Sequence, residues 1–383
     1  MNRRAGGIAI GLAAVLLAAC TAPPPSTGPS TARTSPPAAS APPTTPPEVQ
    51  PAGDVEALAS GLQAPWSIAT TQDGGVLVSE RDTARIVEIG EGGAVREVAV
   101  VPGVVHGGEG GLLGLAVREA GDGRGRMLYA YSTGEGGNRI QRMDLAGGPG
   151  GYTLGEPETI LDGIPAAATH NGGRLAFGPD GMLYATTGDA TLRGPARDPA
   201  SLAGKILRMM PDGGVPDDSA TGTIVHSMGH RNPQGLAWDT AGRLWAAEFG
   251  QNTWDELNLI EGGGDYGWPD AEGAAGLAGT IDPVAQWPTS EASPSGLAAA
   301  GDTLFLAALR GERLIAVYPP REGVRDAAES VDWFAGEFGR LREAHLAPDG
   351  SLWMLTNNTD GRGTPGGDDD RLLRVRLAPL AEG

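Results

Sequence analysis

Of the five histidines in the chain, His170 stands in a setting that suits proton transfer. It opens the segment HNGGRLAFGPDGMLYATTGD, which closes on Asp189. The apolar runs Leu175–Phe177 and Leu183–Thr186 flank a Pro-Asp-Gly turn and predict a β-hairpin. In a hairpin, the start of the first strand and the end of the second lie at the same rim. His170 and Asp189 are therefore expected to be neighbours. A carboxylate beside an imidazole fixes its tautomer and raises its basicity, which is what a general base needs. The plainer alternative is a loop His and a turn Asp that only cap strands.

Three further clusters could carry chemistry. In HSMGHRNPQG, His226 and His230 have a spacing that on a helix would suit zinc. Gly229 and Pro233 argue against a helix there, and no third ligand stands out. The same segment puts a fixed cation, Arg231, and an amide, Asn232, in the loop ahead of a strand. In EFGQNTWDELNLIEGGGDYGWP, Gly250 falls where a strand ends, so its carbonyl can face inward. Backbone carbonyls ligate calcium when a ligand supplies other oxygens. Arg340 and Arg342 share one face of a strand-like segment. Two guanidiniums so placed repel unless an anion sits between them, or unless the face is solvated. GGEGG at 107–111 lacks the Lys-Ser/Thr ending of a phosphate loop. GGDDDR at 366–371 lacks the spacing of an EF-hand loop and reads as a solvated turn.

The elements that must position these residues repeat. An apolar stretch, a Gly/Asp turn and a Leu with an aliphatic or aromatic run recur six times, with Leu77, Leu128, Leu183, Leu244, Leu304 and Leu352 after the turns. A period of roughly 50 to 60 residues marks blades or solenoid turns. Helix-length amphipathic segments are missing between the copies. The expectation is an all-β fold, a six-bladed β-propeller with four-stranded antiparallel blades. Loops at one end of its channel would gather the candidate residues.

The ends of the chain read differently. Residues 1–20 have Arg3 and Arg4, an apolar run and Leu-Ala-Ala-Cys, which reads as an export signal. Its end resembles a bacterial lipobox, with Cys20, the only cysteine, as the lipidated residue. Residues 21–52 are mostly Pro, Thr, Ser and Ala and read as a disordered tether. Residues 53–383 would form the propeller. The expected location is outside the cytoplasm, with the membrane met through the lipid anchor alone. Net charge is −19, from 47 acidic and 28 basic residues. No Lys/Arg cluster appears, which argues against a nucleic-acid binder. With no second cysteine, the exported domain holds together without disulfides.

Four segments, HNGGRLAFGPDG, GHRNPQGLAW, DELNLI with YGWP, and GRLREAHLAPDG, stand in this order on the six repeats. Together they resemble the soluble glucose/sorbosone dehydrogenases, quinoproteins that use pyrroloquinoline quinone (PQQ). The resemblance runs from about Gly61 to Arg376. It implies that PQQ sits at the channel mouth and that His170 is the general base, with Asp189 its partner. It places Arg231 against the reactive quinone carbonyl and Asn232 on the cofactor. It gives Gly250 and Gln251 to a calcium ion that sits on PQQ, and Arg340 and Arg342 to the cofactor's carboxylates. Arg310 falls near the family's cofactor-binding Lys. The implied reaction oxidises the anomeric carbon of an aldose to a lactone, with electrons passing to an external acceptor.

Departures fall close to the expected site. Glu109 stands where Gln is usual near the substrate, and its charge would alter sugar preference or repel anionic sugars. Phe249 replaces Gln or His, Gln251 replaces Pro, and Thr169 replaces Asp. Two other classes compete: a propeller that has lost the cofactor and serves as a binding module at the cell surface, and a calcium-dependent hydrolase of the lactonase type. The retained His170, Asp189, Arg231, Arg340 and Arg342 argue against the first. The lack of a converging set of acidic and amide ligands argues against the second.

Overall fold

The computed structural model describes residues 47–119 and 125–380. Residues 1–20 with Cys20, and most of the expected tether, lie outside the described residues. Six antiparallel sheets follow one another along the chain, each with four strands in sequential up-and-down order apart from the last. The second sheet carries one extra two-residue strand, Thr153–Leu154. Among the described residues the helices are two single 3-10 turns, Glu91–Gly93 and Gly194–Arg197. This is the six-bladed propeller expected from the repeats.

The last sheet closes the ring. Its inner three strands are Leu341–Leu346, Leu352–Thr356 and Leu372–Pro379, and its outer strand is the N-terminal Val49–Ala59. Val49 pairs with Pro379 and Ala52 with Arg376. The domain thus begins before residue 53, the boundary expected from composition. Val49, Gln50, Pro51 and Ala52 look like tether in the sequence, yet the open sheet edge left by Leu372–Pro379 recruits them. An unpaired edge has a row of backbone donors and acceptors that a passing segment can satisfy.

The inner strands of the blades are Pro65–Thr70, Leu112–Glu119, Leu175–Phe177, Pro233–Trp238, Pro294–Ala300 and Leu341–Leu346. Their registers align as columns. Ala69, Ala116, Ala176, Ala237 and Ala298 face Leu77, Tyr129, Tyr184, Trp245 and Phe305 on the second strands. Small against large lets neighbouring blades interdigitate near the axis. The sixth blade breaks the column with His345 opposite Trp353. The repeat leucines all fall on second strands and are buried. Leu77 is one position out of step: it pairs with the Ala column, whereas Leu128, Leu183, Leu244, Leu304 and Leu352 pair with the next residue. Val76 holds the corresponding place in the first blade.

The channel is plugged at mid-depth. Arg174, 4% exposed, and Glu343, 5% exposed, meet across it as an ion pair. The Arg174 guanidinium lies over the Trp66 ring at 4.3 Å, and its Nε donates to the Gln234 carbonyl at 2.8 Å. Gly114, Gly235 and Gly296 occupy the matching places on other blades. A Cβ at Gly296 would stand 2.6 Å from the Glu343 Cα, so side chains there are excluded. The half of the channel below the plug is a chamber of about 550 Å³ lined by all six inner strands.

Candidate functional site

The candidate residues sit just before inner strands or just after second strands, which puts them at one rim. His170 precedes Leu175–Phe177, and Asp189 follows Leu183–Thr187. The two meet as expected, with His170 Nδ1 2.7 Å from Asp189 Oδ1. The carboxylate accepts, so Nδ1 carries the proton and Nε2 is left as the base. His170 has φ +63°, a left-handed backbone that is costly for a non-glycine residue. Its N–H donates to Glu109 Oε2 at 2.9 Å, which helps to hold that conformation. Burial works to raise the Asp189 carboxyl. Hydrogen bonds from His170, the Thr191 N–H and the Trp268 indole overcome that and hold it below the usual carboxylate range.

Arg231 and Asn232 join this pair from the next blade. The Asp189 N–H donates to the Arg231 carbonyl at 2.7 Å, and the Gly172 N–H donates to Asn232 Oδ1 at 3.0 Å. Glu248 receives the backbone N–H groups of both residues. Arg231 Nη1 donates to the carbonyls of Phe249 and Gly250, while its Nε is buried without a partner among the described residues. Burial pulls the Arg231 guanidinium down, and Asp189, Glu248, Glu272 and Glu109 oppose it. The Gly250 carbonyl therefore faces the site. Glu272 orders the turn beyond, where its Oε1 accepts the N–H groups of Gln251, Asn252, Thr253 and Trp254. The Gln251 side chain meets Arg193. No group of three or more His, Cys, Asp or Glu side chains is poised for a metal among the described residues, so a cation here would rest on backbone carbonyls.

Arg340 immediately precedes the strand Leu341–Leu346, and Arg342 lies within it. Both are buried and approach the fully buried Asp360 carboxylate, at 3.1 and 3.9 Å. Arg342 is further held by Asn357, Gln234 and Ser295. Burial, followed by repulsion from Arg81, pushes Arg342 down to about 9, with Asp360 opposing. Two buried cations face one carboxylate, and the Arg340 Nε has no partner among the described residues. This donor set fits a ligand with carboxylates, as PQQ has. Arg310 is exposed at the same rim, with a long contact from Nη1 to the Thr289 carbonyl at 3.4 Å. Its neighbour Leu309 offers a carbonyl to Arg340 at 3.4 Å.

Glu109, expected near the substrate, is tied to the His170 loop. One oxygen takes the His170 N–H, and the other meets Arg362 at 3.0 Å. The zinc spacing dissolves: His226 packs edge-on to Tyr184, while His230 bridges Glu248 and Ser227. Of residues 366–371, Gly366, Gly367 and Asp368 are exposed as a solvated turn, while Asp370 is buried and caps the backbone at Asn358 and Thr359. Asp360, Trp268 and Arg81 were missed by sequence reasoning. Asp360 stands before Gly361 and reads as a turn residue. Trp268 had a signal, the YGWP segment, but no role.

The class these features define is a β-propeller whose rim joins an imidazole–carboxylate pair to a buried cation pair. The model of the glucose/sorbosone dehydrogenase family matches residues 62–374, and the chain belongs to that family. Aldose sugar dehydrogenase YliI of Escherichia coli (strain K12) is 30% identical over 80% of this chain and 91% of that protein. Quinoprotein glucose dehydrogenase B of Acinetobacter calcoaceticus is 34% identical over 57% of this chain, but the match spans only about half of that protein, 53%. Among solved structures, the PQQ-bound form of aldose sugar dehydrogenase from Streptomyces coelicolor superposes with a TM-score of 0.80. It is 48% identical and covers 87% of this chain and 100% of that one.

Proposed function

We propose that this protein is a PQQ-dependent sugar dehydrogenase that oxidises the anomeric carbon of an aldose to a lactone. The observation that carries the reading is the His170–Asp189 pair at 2.7 Å, on the same rim as the buried Arg340 and Arg342. Arg340 and Arg342 would grip the cofactor's carboxylates, with Asn232 and Arg310 beside it. The Arg231 Nε, buried and without a partner among the described residues, would donate to a cofactor oxygen. Bound PQQ supplies the hydride acceptor that no amino-acid side chain can provide. His170 Nε2 takes the proton of the anomeric hydroxyl. Asp189 holds the imidazole in the required tautomer and stabilises the imidazolium that forms. Calcium would rest on the Gly250 and Gln251 carbonyls and would need oxygens from the cofactor to complete its shell. Lipidation at Cys20 and export belong to the same proposal, and so does an external electron acceptor.

The test uses purified protein with added PQQ and calcium, following dye reduction across a panel of aldoses alongside the cofactor's absorbance. The expected outcome is sugar-dependent reduction that vanishes without PQQ and falls when calcium is chelated. Absence of any spectral sign of PQQ binding would overturn the reading in favour of a binding module. Mass spectrometry of the membrane-extracted protein tests the anchor, which Cys20→Ala should abolish.

A further inference from the structure

We propose that Trp268 is a positioning residue for the base, aligning the Asp189 carboxylate with His170 and coupling that pair to Arg231. The proposal rests on the reading of His170 as the base. Asp189 is 1% exposed and its two oxygens are divided. Oδ1 takes His170 Nδ1 and the Thr191 N–H. Oδ2 takes the Trp268 Nε1–H at 2.8 Å, its one hydrogen bond among the described residues. Without the indole, a buried carboxylate oxygen would be unpaired and the group would lose the contact that fixes its rotation.

The indole is itself well held. Trp268 is 7% exposed, and its backbone N–H donates to the Gly229 carbonyl at 2.9 Å. The Arg231 guanidinium lies 5.6 Å from the ring centre, and that of Arg193 lies 5.4 Å away. Two residues earlier, Tyr266 stacks on His230 at 4.7 Å. His230 Nδ1 lies 2.8 Å from Glu248, whose other oxygen receives the Arg231 and Asn232 N–H groups. One short segment therefore sets the direction of the base and the place of the cation.

The donor's chemistry fits the task. An indole N–H is a donor only and stays neutral. It keeps the carboxylate ionised without supplying a proton or a second charge. A lysine or arginine in its place would weaken the pull of Asp189 on the imidazole.

Trp268→Phe keeps an apolar ring under Arg231 and removes the donor. The expected result is kcat lower by about tenfold with KM for the aldose changed by less than about twofold, as for loss of a hydrogen bond to a charged group. PQQ titration of the cofactor-free variant should match the wild type. In cofactor-free protein the His170 Nδ1–H proton resonance should shift, a readout that needs neither sugar nor cofactor. In an Asp189→Asn background the same substitution should cost nothing more. If Phe prevents folding, 3-benzothienylalanine at position 268 keeps the indole shape and lacks only the N–H. An unmoved His170 resonance, wild-type kcat, or an undiminished loss in the Asp189→Asn background would each overturn the proposal. Should no aldose be oxidised by the wild type, the function is wrong, and the resonance still decides the role of Trp268.

Discussion

At the scale of single residues, the site separates proton transfer from anion binding. His170 and Asp189 belong to one blade, whereas Arg340 and Arg342 belong to the last. His170→Ala is expected to lower turnover by about 10²- to 10⁴-fold, the usual worth of a positioned base, while PQQ titration stays unchanged. Arg340→Ala should do the reverse, weakening PQQ binding because a buried cation that faces the site is lost. Stopped-flow turnover and spectral titration of both variants separate the two effects. Equal loss of binding in both would contradict the division. Glu109, whose charge invites a role in sugar choice, takes the His170 backbone N–H on one oxygen and meets Arg362 with the other.

At the scale of elements, the hairpin rule does most of the positioning. Asp189, Gly250 and Arg310 all follow second strands, while His170, Arg231 and Arg340 all precede inner strands. The rule was legible in the sequence because turn residues mark each hairpin. The channel columns were less legible. The Ala column requires knowing which residue pairs with which, and a one-residue slip exchanges the faces. Gly296 is a case that only packing explains, since it lies against the Glu343 backbone on the neighbouring blade. Gly296→Ala should destabilise the fold by about 1–3 kcal/mol, the usual cost of overpacking. Thermal denaturation would measure this, and an unchanged midpoint would show that the inner strands can move apart.

At the scale of the whole molecule, closure and the axis govern stability. The ring is shut by Val49–Ala59 on Leu372–Pro379. A chain beginning at residue 47 should melt higher than one beginning at residue 54, since the shorter chain re-exposes part of that edge. Calorimetry on the two forms would test this, and equal midpoints would mean that the first residues of the strand contribute nothing. Near the axis, burial and then the Arg174 charge push His345 down to about 4 from an ordinary 6.5. Folded His345 stays neutral while the unfolded chain takes up a proton below pH 6.5. Its contribution is therefore present above about 6.5 and is lost as pH falls toward about 4. The melting temperature of the wild type relative to His345→Gln should fall across that window. A constant difference from pH 7 to pH 4.5 would refute the assignment.

The sequence by itself determined the six hairpins, the rim on which His170, Asp189, Arg231 and Arg340 gather, and the family. These follow from local rules: turn chemistry, strand alternation and short motifs act over a few residues, and repetition multiplies their signal. The tertiary structure alone decided what lies between the blades. Trp268 on the second oxygen of Asp189, Arg362 on Glu109 and the Arg174–Glu343 plug all join residues from different hairpins. The capture of Val49–Ala52 by the last sheet is of the same kind. Such contacts depend on how the ring closes and at what register, and no local pattern carries that information.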